Sequence, residues 1–243
     1  DATLRRRVFI VGANASGKSN FLDALRFLRD LASPGGGLSE SVRKRGGVSS
    51  LRCLAARRYP DITVRATVRA ENGPTWIYEI TFNQDNLRRP LVRKEHVEKE
   101  GTVLCSRPDE QDQKDPERLT QTYLEQVNMN RDFRELVSFF QSVRYLHIVP
   151  QLVREPDRSV GRVNDPFGGD FLETIAKATD RAQKARFRRI REALRVAVPQ
   201  LQEIELTRDA KGVPHLRGRY EHWRPHGAWQ SEEQFSDGTL SLM

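Results

Sequence analysis

VGANASGKSN, residues 11–20, is the stretch on which the reading of the whole chain turns. A hydrophobic run, VFIV at 8–11, leads into it, and apolar residues follow at helical spacing at Phe21, Leu22, Leu25, Leu28 and Leu31. That pattern predicts a short buried strand over 7–11, a tight loop from Gly12, and a helix from Gly17 that stops at SPGGG, 33–37. Inside the loop, Gly12, Gly17, Lys18 and Ser19 have the spacing G-x-x-x-x-G-K-[ST]. Glycines let such a loop wrap closely, so that successive backbone N–H groups face phosphate oxygens, and the helix adds its positive N-terminal end. Lys18 is placed to reach the β- and γ-phosphates, and the Ser19 hydroxyl to ligate Mg²⁺. With strand and helix flanking the motif, the loop is expected to bind a nucleoside triphosphate through Gly12, Ala13, Asn14, Ala15, Ser16, Gly17, Lys18, Ser19 and Asn20.

Working outward, 243 residues suffice for one large domain, or one domain with a sub-domain. Hydrophobic residues at 37% build a core and charged residues at 30% suit a solvated surface. The longest uncharged apolar run falls far short of the ~20 residues of a membrane span, and no export leader opens the chain, so no membrane association and a cytoplasmic location are expected. Cys53 and Cys105 stand apart from each other and from any histidine cluster, and read as reduced thiols. Basic residues outnumber acidic ones 41 to 33, a net charge of +8 that favours a polyanionic partner. Most of that charge is arginine, whose fork suits phosphates, although a GC-rich genome produces the same bias.

Further along, Ile62, Val64, Ala66 and Val68 alternate with polar residues, as do Trp76, Tyr78, Ile80 and Phe82 after a turn at 72–74. Residues 91–99 and 102–105 read as two more strands about Gly101, completing an antiparallel β-layer that is unusual for a small P-loop kinase. A charged loop at 108–118 precedes a helical region to about 142, with a buried stripe of Phe133, Leu136, Val137 and Phe140. Residues 143–149 form a strand candidate ended by Pro150, and 154–169 is irregular. Asp170 and Glu173 have capping-box spacing and open a long helix or helix pair ending near Pro199. Strands around Ile204 and Leu216 lead into QFSDGT, 234–239.

The form G-x-N-x-S-G-K-S-N, with Asn14 and Asn20, resembles the SMC/RecF-like branch of ABC-type ATPases, and most closely the AAA-type ATPases of the OLD group, found with phage-defence and DNA-repair nucleases. FSDGTLSLM at 235–243 is similar to that family's LSDGT signature, with Phe235 where leucine is usual. The resemblance implies an α/β P-loop NTPase, an ABC-type head with an antiparallel β-layer and a helical insert, using ATP and Mg. Residues 1–107 would form the P-loop/β lobe and 108–243 the helical and signature lobe. The signature is implied to open a helix and face the γ-phosphate held by another subunit's P-loop, with the Ser236 hydroxyl and the Gly238 N–H as donors beside Asp237. Lys18 and Ser236 would then be the catalytic residues, acting in a homodimer or higher oligomer, with DNA and a nuclease subunit as candidate partners. The insert is too short for the coiled-coil arms of SMC proteins. Four apolar residues followed by paired acids, the Walker B segment, are not found: 144–151 lacks an acid, and Glu203-Ile204-Glu205 precedes a charged run. The expectation is therefore a head whose C-terminal part is missing, binding ATP here and hydrolysing it in a longer parent. Gln121, Gln126 and Gln151 are candidates for the γ-phosphate-sensing glutamine.

Between 181 and 195 lie Arg181, Lys184, Arg186, Arg188, Arg189, Arg191 and Arg195, opposed by Glu192 alone. At 100° per residue, Lys184, Arg188, Arg191 and Arg195 form one stripe beside an apolar stripe of Phe187, Ile190 and Leu194. Duplex DNA phosphates, an acidic protein or plain solvent all suit such a ridge. His222 and His226 flank Pro225, share no regular helix and have no third ligand, so a metal site is rejected. A P-loop phosphotransferase is the enzymatic alternative and an ATP-dependent scaffold the non-enzymatic one; a GTPase would need an N-K-x-D segment, which is absent.

Overall fold

The apolar stripe that follows the glycine loop folds as α1 (Lys18–Ala32), with Phe27, Leu28, Leu31 and Ala32 buried. The computed structural model describes residues 2–4, 8–52, 59–69, 73–155, 165–221 and 228–243. Ser33, extended ahead of Pro34, ends the helix as a pre-proline residue should. Beyond the SPGGG stop two short helices follow, α2 (Leu38–Arg43) and α3 (Val48–Leu51), burying Leu38, Val42 and Val48. They are too short to show a period; tertiary contact forms them. The Glu125 carboxylate accepts the Leu38 N–H at 2.7 Å, satisfying one of the donors at the head of α2.

Strands β1 (Ile62–Arg69), β2 (Thr75–Gln84), β3 (Pro90–Lys99) and β4 (Thr102–Arg107) make an antiparallel sheet in sequence order. Alternation places Trp76, Tyr78, Ile80 and Phe82 of β2 on one buried face. Phe27 of α1 stacks on Phe82 with centroids 5.4 Å apart, and Phe140 of α5 (Arg134–Ser142) meets Tyr78 edge-on at 5.7 Å. Both helices therefore cover that face. The predicted stripe of Phe133, Leu136, Val137 and Phe140 is buried.

Between β4 and α5, α4 (Glu110–Lys114) is capped by Asp109 and followed by single 3-10 turns, Pro116–Thr120 and Arg131–Phe133. A fully buried network ties this stretch to the sheet. Glu95 of β3 accepts the backbone N–H groups of Tyr123 at 2.7 Å and Leu124 at 3.1 Å, and a bond from Arg107 at 3.1 Å. Arg107 forks onto Asp112 at 2.9 and 2.8 Å, donates to the Gln121 and Arg118 carbonyls, and lies 3.8 Å from the Tyr123 ring centroid. For this reason the chain divides into Asp1–Val143 and Arg144–Met243 rather than at the expected 107/108: the helical stretch is bonded into the first unit.

The second unit comprises α6 (Pro150–Arg154), α7 (Phe171–Ala176), α8 (Asp180–Leu194), an antiparallel sheet β5 (Leu201–Arg208), β6 (Pro214–Tyr220) and β7 (Ala228–Ser231), and α9 (Asp237–Leu242). Val153, Leu172, Leu194, Leu201, Ile204, Leu216, Phe235 and Leu240 form its core. Of the two expected arrangements, a long helix or a helix pair, the pair is the one that forms. Asp170 does not cap α7 with its side chain; Thr179 caps α8 by accepting the Ala182 N–H.

Two strand expectations fail. Val8–Val11 pairs with no described strand, and Phe9 and Val11 are 89% and 91% exposed. An apolar run becomes a buried strand only where a neighbour supplies its backbone partners, and the two described sheets, β1-β2-β3-β4 and β5-β6-β7, do not include it. Residue 7 lies outside the described residues. Residues 143–149 are extended, with the His147 and Val149 N–H groups bonded to the Pro166 and Phe167 carbonyls at 2.7 and 2.9 Å, but they form no ladder. Asn72, Cys53, 156–164 of the irregular segment and His222–His226 also fall outside the described residues.

Candidate nucleotide-binding site

The loop between Val11 and α1 turns on two left-handed residues, Ala15 (φ +62°) and Gly17 (φ +88°), and is closed by a Ser16 N–H bond to the Ala13 carbonyl at 3.3 Å. Gly17 is the N-cap of α1, and a residue with a Cβ is strained at that φ. Lys18 folds its ammonium into the loop, donating to the carbonyls of Gly12 at 2.8 Å and Ala13 at 2.6 Å, with Ser16 Oγ at 3.4 Å. Gly12, Ala13, Ser16, Gly17 and Lys18 are thereby brought together. Asn14, Ser19 and Asn20 are exposed, with no hydrogen bond from the Ser19 hydroxyl to a described group.

The chemistry of the donor set suits a Mg-triphosphate. A phosphate oxygen is a better acceptor for an ammonium than a peptide carbonyl is, because both partners are then ionised. Ser19, one residue past Lys18, has an exposed hydroxyl that would ligate such a cation, and Mg²⁺ characteristically takes few protein ligands alongside phosphates. Among the described residues no cluster of histidine, cysteine and carboxylate side chains competes for a metal.

Helix α1 is held by a residue that sequence reasoning missed. Arg45 bonds Asp23 at 2.7 and 3.0 Å and Asp30 at 3.0 Å, and lies 5.3 Å from the Phe27 ring. Burial opposes the Arg45 charge, but these two carboxylates outweigh it and raise the pKa further. Its partners lie 22 and 15 residues away, so no local pattern announces it.

In the second unit, Ser236, Asp237 and Gly238 come together at the head of α9, where the resemblance implied a helix start. Ser236 is the N-cap: its Oγ accepts the Thr239 N–H at 3.1 Å and lies 2.8 Å from Thr239 Oγ1. An open pocket of about 400 Å³ adjoins it, lined by Ser236, Gly238, Thr239, Ala197, Val198, Tyr220 and Leu242. Phe235 is buried against Tyr220, its ring centroid 6.0 Å away. Arg154 of α6 was not expected here; it donates to the Phe235 carbonyl at 2.7 Å and pairs with Asp237 at 2.5 Å. Of the candidate glutamines, Gln151 lies in the same unit as the signature, exposed on α6, while Gln121 and Gln126 belong to the first unit.

Helix α8 folds as its stripes require. Leu194 is buried, Phe187 and Ile190 pack on the core, and Lys184, Arg188, Arg191 and Arg195 are all exposed. Lys177 of the preceding turn pairs with Glu173 at 2.7 Å, but among the described residues no carboxylate reaches the α8 ridge. Arg191 donates to the Gln202 carbonyl at 3.4 Å.

A glycine loop closed on a lysine at the head of a helix, with a free serine hydroxyl one residue on, defines a P-loop nucleotide-binding domain. A protein family described as "AAA domain, putative AbiEii toxin, Type IV TA system" matches residues 7–243, and the chain belongs to that family. AAA domains are P-loop ATPases that use ATP with Mg. No curated protein and no solved structure matches the chain. No helix among the described residues is long and apolar enough to cross a membrane.

Proposed function

We propose that the chain binds Mg-ATP through residues 12–20 and that the full-length protein hydrolyses it in an assembly of at least two copies. The observation that carries this reading is the loop closed on the Lys18 ammonium beside the unbonded Ser19 hydroxyl. Lys18 neutralises the β- and γ-phosphates and Ser19 shares the cation. Ser236 and Gly238 act on the nucleotide of a second copy, in keeping with an SMC/RecF/OLD-like, ABC-type head. The N-cap geometry supports that role: when the Thr239 N–H and hydroxyl both donate to Ser236 Oγ, the serine proton is left to donate to phosphate.

Calorimetry tests the binding step. Lys18→Ala removes the one cation of the loop, and Mg-ATP affinity should fall by about tenfold or more, since a hydrogen bond to a charged group is worth ~1.5–3 kcal/mol. Unchanged affinity would sink the assignment and leave the P-loop phosphotransferase and scaffold readings without their nucleotide as well.

The ATP cycle gates a DNA-directed or nuclease partner, in phage defence or DNA repair. The family description, which names a toxin of a type IV toxin–antitoxin system, is in keeping with a defence role. For the DNA partner the support is the α8 ridge. In the first unit Arg43, Arg45, Arg89, Arg107 and Arg118 are all paired with carboxylates. Among the described residues the exposed arginines of α8 have no such partner, which leaves them to an external lattice of phosphates.

A further inference from the structure

We propose that Arg154 is a positioning residue for Ser236. The inference rests on Ser236 being a phosphate donor to a second copy. One guanidinium nitrogen, Arg154 Nη2, donates to the carbonyl of Phe235 at 2.7 Å and forms an ion pair with the carboxylate of Asp237 at 2.5 Å. Those are the residues immediately before and after Ser236. The directed bond holds the peptide ahead of the serine, and the ion pair draws the side chain of the residue after it to the same guanidinium. Arg154 Nε is buried and has no hydrogen-bond partner among the described residues. The hydroxyl direction then follows from the N-cap bond to Thr239.

The clamp has a second end. Arg154 closes α6, a helix of five residues whose Pro150 fixes its first turn and whose Val153 sits in the core. Gln151, exposed on the same helix, lies one turn before Arg154. A displacement of α6 would be transmitted to Phe235 and Asp237 through Arg154, and hence to the serine between them. A donor of this kind is useful only if it is aimed before the phosphate arrives, and misplacement by about 1 Å costs up to ~100-fold in rate.

The test is steady-state ATP hydrolysis by the full-length protein. Arg154→Ala should lower kcat by roughly 10–100-fold while KM for ATP stays within about twofold, because each nucleotide is held by a P-loop the substitution does not touch. Arg154→Lys, which keeps the charge opposite Asp237 but not the planar geometry, should recover part of the loss. Asp237→Asn should lower kcat on its own, yet add nothing in the Arg154→Ala background, since both remove one interaction. Asp237 is largely exposed, so this variant tests the clamp even if Arg154→Ala fails to fold. Wild-type kcat in Arg154→Ala or Asp237→Asn, or fully additive losses in the double variant, would overturn the proposal. Ser236→Arg separates the two levels: if it retains full turnover, the signature reading has failed, whereas a dead Ser236→Arg beside a fully active Arg154→Ala rejects the clamp alone.

Discussion

Cys105 shows how a single residue is governed by its surroundings. Burial, reinforced by the nearby Glu95 carboxylate, pushes its thiol up to about 12. The thiolate is the reactive form, so native protein at pH 8 should leave Cys105 unmodified by iodoacetamide, with alkylation appearing on unfolding; mass spectrometry reads both. Rapid native alkylation would mean that the β4 strand opens readily. Gly17 is governed by its backbone instead. At φ +88° a Cβ is strained though it meets nothing, so Gly17→Ala should destabilise the loop by about 1–2 kcal/mol and weaken ATP binding in proportion. The glycine, lysine and serine were legible because the loop is contiguous and its spacing is its chemistry. Arg45 and Arg154 were not, because their partners lie far along the chain: 22 residues for Asp23 and 81 for Phe235.

At the scale of elements, the network of Glu95, Arg107 and Asp112 decides where the first unit ends. Breaking it by Arg107→Ala leaves buried carboxylates uncompensated and should cost about 3–5 kcal/mol, measured by urea unfolding. Asp112 adds a pH dependence. Burial raises its pKa, but the fork from Arg107, the Asp109 N–H and Arg118 together hold it below its ordinary 3.8. A folded-state pKa below the unfolded one gives stability that is present above that ordinary value and lost as pH falls through the depressed one. Acid titration of the first unit should show this loss, and replacing both Arg107 and Asp112 with apolar residues should flatten it. Strands β1 to β4 were legible because one face is solvated and the period of two survives in the sequence. The VFIV run misled for the opposite reason: apolar throughout, it carries no record of whether a neighbour is present. The helices at 38–43 and 48–51 are set by contact with the core rather than by any repeat of their own.

At the scale of the whole molecule, two expectations concern more than one copy or partner. A signature that acts across copies predicts complementation. Ser236→Arg and Lys18→Ala should each block ATP hydrolysis in the full-length protein, yet a mixture forms heterodimers with one site free of both lesions, and partial activity should return. A mixture as inactive as its components would count against sites in trans. The net charge of +8 is unevenly used, with no carboxylate among the described residues paired to the α8 ridge. Converting Lys184, Arg188, Arg191 and Arg195 to Glu should abolish binding to duplex DNA; for the wild-type chain, log affinity should fall with log salt by about 0.9 per phosphate contact. Wild-type protein with no DNA affinity at low salt would leave the ridge to solvent or an acidic protein.

The same ridge has a consequence for α8 itself. Lys184 and Arg188, Arg188 and Arg191, and Arg191 and Arg195 are neighbours on one helical face, and like charges so placed each oppose the helix by a few tenths of a kcal/mol. Salt should therefore act with opposite signs on two observables: it screens the self-repulsion and slows hydrogen exchange along α8, while loosening any polyanion the helix holds. A bound polyanion would do what salt does to the helix, and the ridge would be most rigid when it is occupied.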